Sequence, residues 1–175
     1  MPMNLRNVKI GALWAMLMLI MHGCQPKSQT HTATMESAFE WSGPLYEGSN
    51  PAQALIKVDL ASLLGNPVQE GLKITKVQLK SAELSGDSAS DLNGIGSLVL
   101  SIASDDPSLP MKELAVLNPV ISASGQAILK PSSEAEVSDF FAQKAFYLVV
   151  DAGLSTDRDQ DLRLTGKFQW EIHYR

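Results

Sequence analysis

Leu162–Arg175 reads LRLTGKFQWEIHYR, and its alternation decides the fold. Leu162, Leu164, Phe168, Trp170, Ile172 and Tyr174 share one parity, interrupted only by Gly166. Arg163, Thr165, Lys167, Gln169, Glu171, His173 and Arg175 fill the other. Successive side chains on a strand point to opposite faces, so this pattern predicts a long antiparallel strand with one face on a core and one in water, bent at Gly166.

Working outward, the remaining segments read the same way. Ala145–Val150, AFYLVV, is β-branched and aromatic and predicts a central strand. Ala38–Trp41, Ala54–Leu60, Ser97–Ala103, Leu114–Leu117 and Ala127–Leu129 are further strand candidates, separated by turn signals such as Ser42-Gly43-Pro44 and Asn118-Pro119. Between Leu72 and Leu84 the apolar parity switches twice, which requires a bulge or two separate strands. Asp59 can cap a single helical turn through Leu63 and Leu64, ended by Gly65. Ser133-Glu134-Ala135-Glu136 has a capping-box pattern, followed by Val137, Phe140 and Phe141 at helical spacing. One short helix is expected near residues 133–143, with one of the two phenylalanines turned away from the core. The whole is expected to be all-β: an antiparallel β-sandwich, immunoglobulin-like or jelly-roll, of seven to nine strands over residues 37–175.

The other informative stretch is Ile10–Cys24, IGALWAMLMLIMHGC, preceded by Arg6 and Lys9 with no acid. Its apolar run of about 12 to 14 residues falls short of the roughly 20 needed to cross a bilayer as a helix, but suits the apolar region of a secretory signal. Met21-His22-Gly23-Cys24 resembles the lipobox of bacterial lipoprotein precursors. Gly23 and Cys24 match that pattern's two most demanding positions, while Met21 stands where leucine is usual and His22 where a small residue is. An ordinary secretory site is less well served, since the next candidate, His31-Thr32-Ala33, puts an imidazole in a small-residue position. The resemblance implies removal of residues 1–23, acylation of Cys24 and a membrane anchor made of lipid. Gln25 in place of aspartate after the cysteine implies the outer membrane rather than the inner in a cell with two. Residues 24–36, polar and without apolar periodicity, read as a flexible tether.

The chain has 14 basic and 19 acidic residues. Arg6 and Lys9 would leave with the leader, so 12 basic residues face 19 acidic ones, a balance of −7. Such a surface suits neither nucleic acid nor an anionic membrane through charge. Cys24 is the only cysteine, which excludes a disulfide within the chain.

Candidate chemistry is sparse. After the leader only His31 and His173 remain as histidines, and no Gly-x-Ser-x-Gly elbow exists to partner either. Asp157, Asp159 and Asp161 alternate in a loop and could offer a weak calcium site, although Leu162 and Phe168 stand where an EF-hand needs glycine and glutamate. Trp41, Tyr46 and Phe140 are the candidate partner contacts. The expected function is non-enzymatic: a lipid-anchored cell-envelope module that binds or scaffolds an envelope protein or glycan. The alternative is a lipoprotein that binds a small ligand, whether glycan, lipid or calcium. No cofactor is expected beyond that possible calcium.

Overall fold

Eight strands form because eight segments alternate, and four hairpin-like pairings organise them. The structure is a computed structural model that describes residues 28–65, 71–120 and 125–175; Cys24 and the lipobox-like residues 21–23 before it lie outside the described residues. The strands are β1 (Gln29–Trp41), β2 (Gly48–Lys57), β3 (Ile74–Gly86), β4 (Ile95–Ala103), β5 (Lys112–Leu117), β6 (Gln126–Pro131), β7 (Ala145–Leu154) and β8 (Leu162–Tyr174). They are hydrogen-bonded in the order β1-β8-β3-β6-β5-β4-β7-β2. β1 pairs with β8, β2 with β7, β3 with β6 and β4 with β5, all antiparallel. This nesting is that of a jelly roll, and it resolves the choice left by the sequence against the immunoglobulin-like alternative. β6 joins the two halves, pairing with β3 through residues 126–129 and with β5 through residues 130 and 131. At the opposite seam the two end strands approach, and the Trp41 Nε1–H donates to the Asn50 carbonyl at 2.7 Å.

β8 carries out its pattern through Trp170, and its last residues, Glu171, His173 and Tyr174, are half-buried. Leu162, Leu164, Phe168, Trp170 and Ile172 are buried, and it lies between β1 and β3 over most of its length. The parity switches of Leu72–Leu84 are resolved by bulging within one strand: β3 slips register against β8 between Ile74 and Lys76 and again between Leu79 and Ser81. Each slip restores apolar residues to the inner face, so that Val77, Leu79, Ala82 and Leu84 are all buried.

Helix α1 (Leu60–Leu64) is the expected single turn. Asp59 caps it, accepting from the N–H groups of Ala61 and Ser62, and Gly65 closes it at φ 65°. A left-handed closing residue is the usual role of glycine at a helix end.

Two expectations are corrected. The flexible tether does not extend through residue 36: residues 29–36 are the first part of β1, paired in unbroken register with β8 from Gln29 opposite Tyr174. Only Ala33 and Met35 of that stretch contribute apolar bulk inward. Pairing with β8 and the β-propensity of Thr30, Thr32 and Thr34 supply what periodicity did not advertise. The second correction concerns the capping box. The helix is confined to α2 (Ser138–Phe141), and Ser133 and Glu134 form a turn before it. Glu136 instead uses Oε1 to accept from the N–H of Ser138 at 2.7 Å and from the N–H of Val77 at 3.1 Å, tying α2 to β3. Both Phe140 and Phe141 are buried, so neither turns outward. Phe141 packs against Trp170 at 5.2 Å and Phe146 at 5.0 Å between ring centres, which seals one end of the roll.

Candidate functional site

The three alternating aspartates lie in the β7–β8 loop, and what they hold is the neighbouring β1–β2 loop. Asp157 Oδ1 accepts from the Glu47 N–H and Asp161 Oδ1 from the Gly43 N–H, each at 2.8 Å. Leu45 and Arg158 exchange backbone hydrogen bonds between the same loops, both 2.8 Å. The Asp159 carbonyl leaves no room for a side chain at Gly43, where a Cβ would lie 2.5 Å from it. Among the described residues, no group of three or more His, Cys, Asp or Glu side chains converges where a metal ion could be held. The Asp157 and Asp161 carboxylates therefore act as staples between loops, and the calcium expectation for Asp157, Asp159 and Asp161 is not met by their arrangement.

Arg158 extends the same network. It donates through Nη1 to the Asp91 carbonyl at 2.9 Å and sits 3.6 Å from the Asp91 carboxylate, while Asp91 Oδ2 accepts from the Ser88 N–H at 2.8 Å. A shallow cleft of about 250 Å³ lies beside it, lined by Ser90, Asn93, Thr156 and Gln160 among others. Its lining carries hydroxyls, amides, the Asp91 and Asp157 carboxylates and the Arg158 guanidinium, and no aromatic side chain.

The proposed contact residues separate. Tyr46 is 66% exposed at the loop end of the roll. Trp41 is only 5% exposed, its indole N–H taken by Asn50, and its ring 6.4 Å from Phe39. Phe140 is wholly buried beneath the Lys112 ammonium, 5.8 Å from its ring centre. Trp41 and Phe140 are thus core residues. Large aromatics near a sheet seam and on a one-turn helix gain more by filling the interior than by facing water.

The two outer faces of the roll differ in chemistry. The face of β1, β8 and β3 is charged: Arg163 lies 3.6 Å from Glu40, Lys80 forms a 2.8 Å ion pair with Glu171, and Lys167 stands opposite Glu36. The Glu171 carboxyl is held below its ordinary value by Lys80 and then His173.

On the face of β2, β7, β4 and β5 the outward positions mix apolar side chains with the polar Ser49, Gln53, Ser97, Ser101 and Asp151. Leu55 stands opposite Tyr147, and Tyr147 opposite Ala103. Val149 lies between Gln53 and Ser101, and Val99 is opposite Val116. Leu55 is 53% exposed, and Val99, Val116, Tyr147 and Val149 are half-buried. Two carboxylates belong to this face: Asp151, whose oxygens lie 2.8 and 2.9 Å from the Ser49 hydroxyl, and Asp105, which accepts from the Tyr147 hydroxyl at 3.2 Å. Further charges stand at the margins: Lys57 on β2, Glu113 on β5 and Lys130 on β6, none with an ion-pair partner among the described residues.

The signal for this face was present in the sequence as apolar residues on both parities, in AFYLVV and in Val99 against Leu98 and Leu100. Such strands can be read as doubly buried. Here the second face is covered by nothing among the described residues.

Fold and surface together define the chain as an eight-stranded jelly roll with one charged and one partly apolar outer face. No family model and no curated protein matches it. Among solved structures it is similar to the BFDV capsid protein in a decameric crystal structure, with 12% identity, a TM-score of 0.42, and coverage of 85% of this chain and 99% of that one. The 60-mer crystal structure of the BFDV capsid protein gives 10% identity, the same TM-score, and coverage of 85% and 94%.

Proposed function

We propose that this protein is a lipid-anchored envelope module that binds another envelope component through the outer face of β2, β7, β4 and β5. The observation that carries the binding role is that partly apolar face, set against a charged face on the other side of the same roll. Contiguous exposed apolar patches larger than a few hundred Å² mark interaction surfaces, whereas scattered apolar residues do not. The Ile10–Cys24 pattern supports the anchor.

Four residues separate Cys24 from the first residue of β1, a reach of at most about 18 Å. An acylated Cys24 therefore keeps the end of the roll where β1 starts and β8 finishes close to the headgroups. The loop end carrying Tyr46 and Asp157 points away, and the partly apolar face stands upright beside the bilayer.

The test is photo-crosslinking in living cells from position 149, with Cys24→Ala as control, followed by purification. Recovery of a specific envelope component with the anchored protein, and its loss in the control, is the expected result. Adducts no different from those of a position on the charged face would contradict the reading.

A further inference from the structure

We propose that Asn93 is a site of self-modification: in the folded protein the backbone nitrogen of Gly94 displaces its side-chain amide, and hydrolysis leaves aspartate or isoaspartate in the cleft beside Arg158. The modification is independent of the binding role given above.

The chemistry stays within the chain. The Gly94 nitrogen attacks Asn93 Cγ and bonds to it, the Cγ–Nδ2 bond breaks, and ammonia leaves with the proton of the Gly94 N–H. Water then opens the succinimide so formed. Cleavage at Cγ gives aspartate in an ordinary backbone, and cleavage at the Asn93 carbonyl carbon gives isoaspartate, joined to Gly94 through Cγ. The net change is amide plus water to carboxylic acid plus ammonia. Held in one chain, nucleophile and target react as at a high effective concentration.

Three observations point to this residue. First, the sequence sets it apart from its kind. Of the four asparagines beyond Cys24, Asn50, Asn66 and Asn118 precede Pro51, Pro67 and Pro119, which have no N–H to give up. Asn93 precedes glycine, whose nitrogen no Cβ shields.

Second, the peptide that must turn is the one that nothing holds. Asn93 has an extended ψ of 138°, so ring closure needs the Asn93–Gly94 peptide plane to swing until its nitrogen faces Cγ. The Asn93 N–H donates to the Ser90 carbonyl at 3.0 Å, and the Gly94 carbonyl accepts from the Ser155 N–H at 2.8 Å. Between these fixed points, the Asn93 carbonyl and the Gly94 N–H have no hydrogen-bond partner among the described residues. The plane can turn without breaking either bond, and Gly94, already at φ 78°, is the residue type that takes up the compensating rotation.

Third, water reaches the site and the product alters it. Asn93 is exposed and lines the cleft with Asp91, Asp157 and Arg158. A new carboxylate there joins two acids and one guanidinium, and isoaspartate also lengthens the backbone by a methylene just before β4 begins at Ile95. The loop end of the roll thus grows more acidic as the molecule ages.

The test is peptide mapping by mass spectrometry of the full chain in detergent, kept folded at neutral pH and sampled over weeks beside the same chain unfolded in guanidinium chloride. An acid form should accumulate at Asn93 and at no other asparagine, as a mixture of aspartate and isoaspartate. Its rate should be no more than about tenfold below that of the unfolded chain, because opening a turn held at neither group costs little. In Asn93→Gln, whose longer side chain must close a larger and slower ring, the acidic band that isoelectric focusing shows for the parent should not appear. Asn93 left intact in the folded protein while the unfolded chain converts would overturn the inference, as would an acidic band that persists in Asn93→Gln.

Discussion

Gly166 shows how one residue is fixed by the packing of its neighbours. It faces inward on β8, and a Cβ there would run into the edge of the Phe168 ring and lie 3.1 Å from Leu84 Cδ2. The glycine exists to let the Phe168 ring fold back over it and meet Phe39 edge-on at 6.2 Å. Gly166→Ala should therefore destabilise the fold by about 1 to 3 kcal/mol, an overpacking cost read as a lowered denaturation midpoint with unchanged slope.

Glu136 supplies a second residue-scale test. Burial pushes its carboxyl up, but the N–H groups of Val77 and Ser138, the Ser138 hydroxyl and the Lys112 ammonium outweigh that and hold it below its ordinary value of 4.5. A carboxyl depressed in the folded state contributes stability that is complete above its unfolded value and lost as pH falls through the folded one. Glu136→Gln should cost about 1 kcal/mol at pH 7 after allowance for solvent screening. Its stability should also fall less steeply than that of the parent below about pH 4.5, as urea melts across that range would show.

At the scale of elements, β1 separates the account from the simpler view of a spacer. Deleting residues 29–36 removes eight of the thirteen residues that pair with β8. A tether would tolerate the loss; a strand would not, and the expected outcome is a chain that no longer melts cooperatively.

The same strand marks how far sequence could be read. β8, β7, β4 and α1 were legible because alternation or a cap announced them, and the bulges of β3 because a parity switch admits few explanations. The first half of β1 was not legible. An edge strand of threonines with only Ala33 and Met35 inward has too little apolar contrast to register as periodic, and its partner lies more than a hundred residues away. The helix start misled for a related reason. Glu136 is committed to Val77 of β3, a bond that no local capping pattern can foresee.

For the whole molecule, the candidate site was legible only in part. Tyr46 is exposed as a contact residue should be, but Trp41 and Phe140 are consumed by the core. The partly apolar outer face emerges only when strand order sets Leu55, Tyr147, Val149, Val99 and Val116 side by side. The role proposed for it depends on orientation, and orientation depends on the proposed anchor. With β1 beginning five residues after Cys24, acylation would stand the roll upright on the membrane with its partly apolar face free to meet a neighbour at the same height. Intact mass spectrometry of the protein extracted from the membrane fraction tests that premise most directly. The account predicts a chain that begins at Cys24 and carries the added mass of the acyl chains, with Cys24→Ala absent from that fraction; an unmodified chain, or one beginning elsewhere, would contradict it.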